Sequence, residues 1–292
     1  MFDGRRTNNK FADPTDVDLP APDLLSKLMA EPGSPIFVAK ADLDNYYHRI
    51  RLPEWMQPHF ALPKVRAADV GVADRFGADA WVYPCCTTLR MGWSHSVYLA
   101  QAAHEYLLNT RTRLSPGDRI SISSDYQLDR IRHFVYIDDL CIVGPAGSAD
   151  EMGVLLDEYI AAMTDAGLPP KPSKTVRPSS EGVECIGVEI HGRHLTVGVH
   201  PTKIARLIGR TRAYFERAKC TGLEMSRLVG HWSWAFLARR CAFSVFRAVY
   251  RFIEVAGRRK FDIWPSVVRE LDIAIGLAPL LFSSIAAPWF SN

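Results

Sequence analysis

Residues 132–145 read RHFVYIDDLCIVGP, two acids set between two runs of strand-forming side chains. Phe134, Val135, Tyr136 and Ile137 lead in, and Leu140, Cys141, Ile142 and Val143 lead out. β-Branched and aromatic runs joined by a tight link predict a β-hairpin. The expected tip is Asp138–Asp139, a poor turn on backbone grounds, because a two-residue hairpin turn prefers Asn-Gly or Asp-Gly. Adjacent carboxylates also repel unless something positive lies between them, and no basic residue stands beside this pair. Turns favour Asp, so a solvated acidic turn is one reading. A site that receives a cation is the other.

The chain has 292 residues, enough for one large domain or two smaller ones with a sizeable core. Its 48% hydrophobic and 23% charged content are those of an ordinary globular protein. The start, MFDGRRTNNKF, is charged and leads into no apolar stretch, so no secretory signal is read. The six cysteines form no C-x-x-C pair and mostly sit in apolar runs, which predicts buried free thiols, an intracellular location and no structural zinc. Residues 273–290 are uncharged over nearly the length of a membrane span, but Pro279, Pro288 and Ser283–Ser284 interrupt them. A packed terminal helix and tail is the expectation, with no membrane partner.

The net charge of +3 hides an asymmetry. Residues 201–260 carry fourteen Lys or Arg against Glu216, Glu224 and Glu254, a net of +11, whereas residues 1–200 are net −6. A basic module following a mildly acidic one points to a polyanion partner. The pattern along the chain agrees with two parts. Strands are expected in PIFVAKADLD and WVYPCCTTL. Helices are expected in DLLSKLMAE, in SHSVYLAQAAHEYLLNTRT with Val97, Ala100, Ala103 and Leu107 at helical spacing, and from the cap residue Ser148 to Gly167. VECIGVEIHGRHLTVGVH reads as a hairpin turning near Gly192. From 201 the pattern is helical, including one long run, EMSRLVGHWSWAFLARRCAFSVFRAVYRFIEVAG.

Upstream, FVAKADLDNYYHRIRLP puts Asp42 at the end of an apolar strand, followed by Asp44. Carboxylates gathered at neighbouring strand ends offer the oxygen ligands that Mg²⁺ prefers. Two such ions can serve an in-line displacement.

These residues and their order resemble a reverse transcriptase of the retrotransposon and retroviral kind. YIDDL resembles the Tyr-x-Asp-Asp box at Tyr136 to Asp139, and DLDNYYHRI resembles the first metal-binding block. The resemblance implies a right-hand polymerase of α+β class. Its palm is an antiparallel sheet with helices on one face (36–195), preceded by a remnant of the fingers (1–35). An all-helical basic thumb (196–265) and a connector helix and tail (266–292) follow. It implies Asp42, Asp138 and Asp139 as ligands of two Mg²⁺ ions, with Mn²⁺ as a substitute, and Tyr47 as the residue that excludes a 2′-hydroxyl. TTLRMGWSHSVYLAQ resembles the block that shapes the nucleotide pocket, with Arg90 where the family commonly has Pro, Gly92 for close backbone approach, and Met91 and Trp93 as lining. GLPPKPSKT resembles the block whose Lys protonates departing pyrophosphate, with Lys174 in place and Lys171 as competitor. VECIGVEI resembles the hairpin that grips the primer, marked by Gly187. FDGRRTN resembles the last part of the fingers, with Asp3, Arg5 and Asn8 in register. Tyr136, Arg239 and Arg240 complete the implied nucleic-acid contacts, while Trp232 and Trp234 read as core.

The implied activity is RNA-directed DNA polymerisation on an RNA or DNA template, with a DNA primer and deoxynucleoside triphosphates as partners. The family's earlier finger strands would lie before Met1, and a ribonuclease H domain would follow residue 292, which implies a longer parent polyprotein. A catalytically silent descendant that binds nucleic acid is the alternative. An RNA-dependent RNA polymerase fits less well, since those usually carry Gly-Asp-Asp and a smaller sugar-selecting residue than Tyr47.

Overall fold

The computed structural model describes residues 4–123 and 126–286. Its centre is a four-stranded sheet of β1 (Phe37–Asp42), β2 (Arg132–Tyr136), β3 (Asp139–Gly144) and β4 (Val176–Ser179), in the order β2-β3-β1-β4 and antiparallel throughout. Residues alternate between the faces of a strand. Ala39 and Ala41 on β1, and Leu43 just beyond it, therefore face α1 (Ser96–Arg111) and α2 (Ala149–Asp165), as Leu140 and Ile142 of β3 do. Met152, Leu155, Leu156, Tyr159 and Met163 form the apolar stripe by which α2 covers the sheet. Ser148 stands at the start of α2, but its hydroxyl donates to Pro145 O instead of capping the helix. Gly167, at φ 77°, takes the left-handed conformation that ends it.

Val38, Phe134, Cys141 and Val143 face the other way, onto a second antiparallel sheet. That sheet comprises β5 (Gly182–Cys185), β6 (Val188–His191), β7 (Thr196–Gly198) and β8 (Phe282–Ser284), in the order β8-β7-β6-β5. The expected α+β class, an antiparallel sheet with helices on one face, is what the structure has. The closing strand β8 has no counterpart in the expectations, which ended the chain in a helix and tail. The helix is α6 (Pro265–Leu277), and no helix among the described residues is long and apolar enough to cross a membrane.

Between β7 and β8 lies a helical module of α3 (Pro201–Phe215), α4 (Gly222–Phe236), α5 (Ala248–Ala256) and α6, with its own core around Trp232, Phe236, Phe246 and Phe252. The single long helix expected across 224–257 is broken after Phe236. Phe243 and Phe246 fold back onto the Phe236 ring, with centroids 5.6 and 5.2 Å away. The new helix start is paid for by Glu270 of α6, whose carboxylate accepts the N–H groups of Arg247, Ala248 and Val249 at 3.1, 2.7 and 2.9 Å. Two other expectations shrink. WVYPCCTTL is strand only at Trp81–Val82, because Pro84 ends the ladder. The helix expected in DLLSKLMAE spans only Pro22–Leu25. All six cysteines are free, with Cys85 and Cys241 exposed and the other four buried.

Candidate active site

The strand register brings the acids together. Asp42, the last residue of β1, lies directly opposite Asp139, the first of β3, and Asp139 also pairs with Tyr136. The turn is therefore Ile137–Asp138, one residue earlier than the expected tip, and Asp139 belongs to the strand. Ile137 has a φ of 57°, a conformation that a β-branched side chain adopts at a cost of about 1–3 kcal/mol. α1 holds the turn in that shape. The Gln101 side chain accepts from Ile137 N (2.7 Å) and donates to Val135 O (2.9 Å). His104 Nδ1 lies 2.8 Å from Ile137 O, and its Nε2 lies 2.8 Å from the Tyr159 hydroxyl. Since the carbonyl can only accept, Nδ1 carries the proton and Tyr159 donates to Nε2. Burial holds the His104 pKa down to about 4, so the imidazole is neutral and this tautomer persists at neutral pH.

Three features mark the acids as an electrostatic site. Burial first, and then the Asp42 charge, raises the Asp138 carboxyl above the usual range. Burial also raises Asp139, with the Asp138 and Asp42 charges adding to it and Lys40 opposing. Lysines from elsewhere in the chain supply the missing positive charge. Lys174 Nζ is 2.5 Å from Asp42 Oδ2 and Lys40 Nζ is 3.3 Å from Asp139 Oδ1. Hydrogen bonding to Asp42 holds the Lys174 ammonium above its usual range. Lys174 sits on a short turn, Pro172–Lys174, anchored where Lys171 N donates to Asp42 O at 2.7 Å. Asp44 turns away and pairs with Arg49 at 2.9 Å.

The donor set suits a hard divalent cation in its chemistry, carboxylate oxygens at adjoining strand ends, with Lys40 and Lys174 standing against Asp139 and Asp42. The arrangement is not closed around one, and among the described residues no three His, Cys, Asp or Glu side chains converge tightly enough to hold a metal.

Tyr47 is buried beside Tyr46, and the charge of Asp138 is among the influences that raise its hydroxyl pKa after burial itself. Gly92, at φ 104°, begins the turn before α1; its carbonyl accepts from Asn8 Nδ2 (3.1 Å) while Asn8 Oδ1 accepts from Ser94 N (3.0 Å). Asn8 is thus a clamp on this loop, and Arg5 lies on the same one-turn helix, Arg5–Asn8. Trp93 is buried against Phe11, Phe60 and His95 and belongs to the core, while Met91 is exposed and Arg90 half-buried. Gly187, at φ 88°, forms with Ile186 (φ 40°) the two-residue turn between β5 and β6, the type I′ pattern of two positive φ values. Trp234 covers it so closely that a Cβ on Gly187 would lie 2.7 Å from the indole nitrogen. Of the two tryptophans read as core, Trp232 is fully buried and Trp234 is 39% exposed.

Arg239 and Arg240 engage the chain itself: Arg239 donates to Phe282 O at 3.3 Å and Arg240 pairs with Asp23 at 3.0 Å. Asp3 lies outside the described residues. Sequence reading missed Gln101, His104 and Lys40. The signals were two polar side chains three apart in the apolar run of α1, and a lysine two before Asp42, hence on the same strand face.

The fold is reverse-transcriptase-like. The solved structures that share it include foamy viral protease-reverse transcriptase in complex with double-stranded DNA (TM-score 0.63, 16% identity, 94% of this chain and 40% of that one). They also include the same enzyme in complex with an RNA/DNA hybrid (TM-score 0.63, 15% identity, 95% and 31%) and a further double-stranded DNA complex (TM-score 0.61, 17% identity, 94% and 48%). This chain spans less than half the length of those chains. No family model matches the sequence, and no curated protein does.

Proposed function

We propose that the chain is the polymerase core of a reverse transcriptase, joining deoxynucleotides to a primer 3′-hydroxyl on an RNA or DNA template with release of pyrophosphate. The observation that carries this is the side-by-side placement of Asp42 and Asp139, with Asp138 at the adjoining turn, in a fold otherwise found holding nucleic acid. In this reading residues 36–195 are the palm, 196–265 the thumb, 1–35 the remaining fingers and 266–292 the connector.

Asp42, Asp138 and Asp139 would hold Mg²⁺ or Mn²⁺, which supplies charge stabilisation at the attacking and departing oxygens. Lys174, already next to Asp42, is the group that gives its proton to departing pyrophosphate. Tyr47 excludes a 2′-hydroxyl, and the Arg90–Trp93 loop approaches the nucleotide. Gln101 and His104 keep the Ile137 turn, and with it Asp138, in position. Tyr136 and the Gly187 hairpin contact the primer end, and the basic helices hold duplex phosphates without reading sequence. Arg5, Arg239 and Arg240 can add to that contact only as far as their present partners release them.

One observation favours a second reading, a silent nucleic-acid-binding protein: lysines already neutralise two of the three acids. Deoxynucleotide incorporation on poly(rA)/oligo(dT) with Mg²⁺ or Mn²⁺ separates the two, with Asp138→Asn as control. Incorporation lost in the variant supports the polymerase. Salt-sensitive duplex binding without incorporation in the wild type supports the silent protein.

A further inference from the structure

The strand face that presents Asp42 also presents Lys40, two residues earlier and opposite Cys141 of β3 in the register. Its neighbours on that face are apolar, Val38 and the buried thiols of Cys141 and Cys185, and its side chain is only 17% exposed. An unpaired ammonium there would be strongly disfavoured. Lys40 Nζ instead reaches Asp139 Oδ1 at 3.3 Å and donates to Glu184 O of β5 at 3.2 Å. Lys203 of α3 meets the same hairpin from outside, at Glu184 Oε1 (2.6 Å) and Gly187 O (3.3 Å). The two active-site lysines thus differ in kind. Lys174 is 52% exposed on a turn, whereas Lys40 rises from the central sheet, is largely buried, and bonds to β5 while it faces Asp139.

We infer that Lys40 is the counter-ion of Asp139, a positioning residue that weakens this carboxylate as a metal ligand relative to Asp42 and Asp138 and ties it to the Glu184–Gly187 hairpin. Of the three acids, Asp42 and Asp138 then dominate divalent cation binding, with Lys174 as the cation that is displaced. This rests on the polymerase reading only for the identity of the ligand; the ion pair itself does not depend on it.

The test measures Mn²⁺ affinity of the full chain by electron paramagnetic resonance of free Mn²⁺, for wild type, Lys40→Met, Lys40→Met/Asp139→Asn and Asp138→Asn. Adding one free carboxylate to the site should tighten binding in Lys40→Met by about tenfold, and the double variant should return to the wild-type value. Asp138→Asn should lose binding. Unchanged affinity in Lys40→Met, with binding lost in Asp138→Asn, overturns the inference and leaves the polymerase reading standing. Wild-type affinity no better than that of Asp138→Asn overturns the polymerase reading instead. The melting midpoints of the same proteins then decide the ion pair: Lys40→Met should melt lower, and adding Asp139→Asn should restore it. Additive losses would overturn the counter-ion.

Discussion

His104→Phe isolates the clamp on the Ile137 turn. The replacement fills nearly the same buried volume, but it strips a donor from Ile137 O and an acceptor from the Tyr159 hydroxyl, both inside the core. Each orphaned group costs about 1–3 kcal/mol, and the more apolar ring returns about 1 kcal/mol, which leaves a loss of about 3 kcal/mol. Tyr159→Phe leaves only the imidazole Nε2 unmet and should cost about 1–2 kcal/mol. In the double variant the phenolic orphan disappears with its partner. The imidazole orphan of Tyr159→Phe disappears as well, so the double variant should be more stable than the sum of the singles predicts by about 2–3 kcal/mol. Urea denaturation of the four proteins at pH 7 provides the cycle. Incorporation assayed in parallel should fall more than folded fraction does, because a turn strained by about 1–3 kcal/mol relaxes once unheld and carries Asp138 with it. A His104→Phe protein within about 0.5 kcal/mol of wild type, or strict additivity, would refute this account of the turn.

Four further outcomes are expected. His133 is buried and its pKa is held down to about 4 by desolvation, so its contribution is whole above its unfolded pKa of about 6.5 and is lost as pH falls from there towards 4. His133→Leu should make the stability slope between pH 5 and 6.5 shallower by up to about 1.4 kcal/mol per pH unit, and an unaltered slope contradicts it. Asp138→Asn should raise the melting temperature of the metal-free chain by about 1–3 °C, since burial and Asp42 disfavour its charge; a lower melting temperature counts against that repulsion. Gly187→Ala meets both a positive φ and the Trp234 ring, and should cost about 1–3 kcal/mol with a shift in tryptophan emission; wild-type stability and spectrum would show that the ring gives way freely. Arg206 and Arg210 line a groove of about 230 Å³ with His231 and Trp234. Replacing both by Ser should lower the slope of log binding constant against log salt by about 0.9 for each lost phosphate contact, and an unchanged slope would place the duplex elsewhere.

The hairpin at 132–144 and the acid closing β1 were legible because a strand pattern of period two needs no tertiary knowledge. The exact turn was not. Composition speaks for Asp-Asp at the tip, whereas the register demands Ile137 in a conformation that only contacts from α1 can hold. Those contacts were hidden for a related reason: helical spacing picks out Val97, Ala100, Ala103 and Leu107, of which Ala100 lies on the buried side of α1, and that side is completed by Gln101, His104 and Leu108. Lys40 was hidden because a lysine inside a strand reads as an outward residue until the second sheet is known to cover it. The break after Phe236 depends on Glu270, a residue thirty-four positions away, and no local signal announces a cap delivered from another helix.

β7 and β8 are hydrogen-bonded neighbours through Val197–Ser283, and all four long helices of the basic module lie between them in the chain. The module leaves the body and returns to it at the same place, like a door hung on two adjacent pins. Translation away from the acids would tear the Thr196–Gly198 ladder, whereas swinging about the line of those two strands breaks none of its bonds. Such a swing would have to release Lys203 from Glu184 and Gly187 and Arg240 from Asp23, so the module is latched along its inner edge as well as hinged.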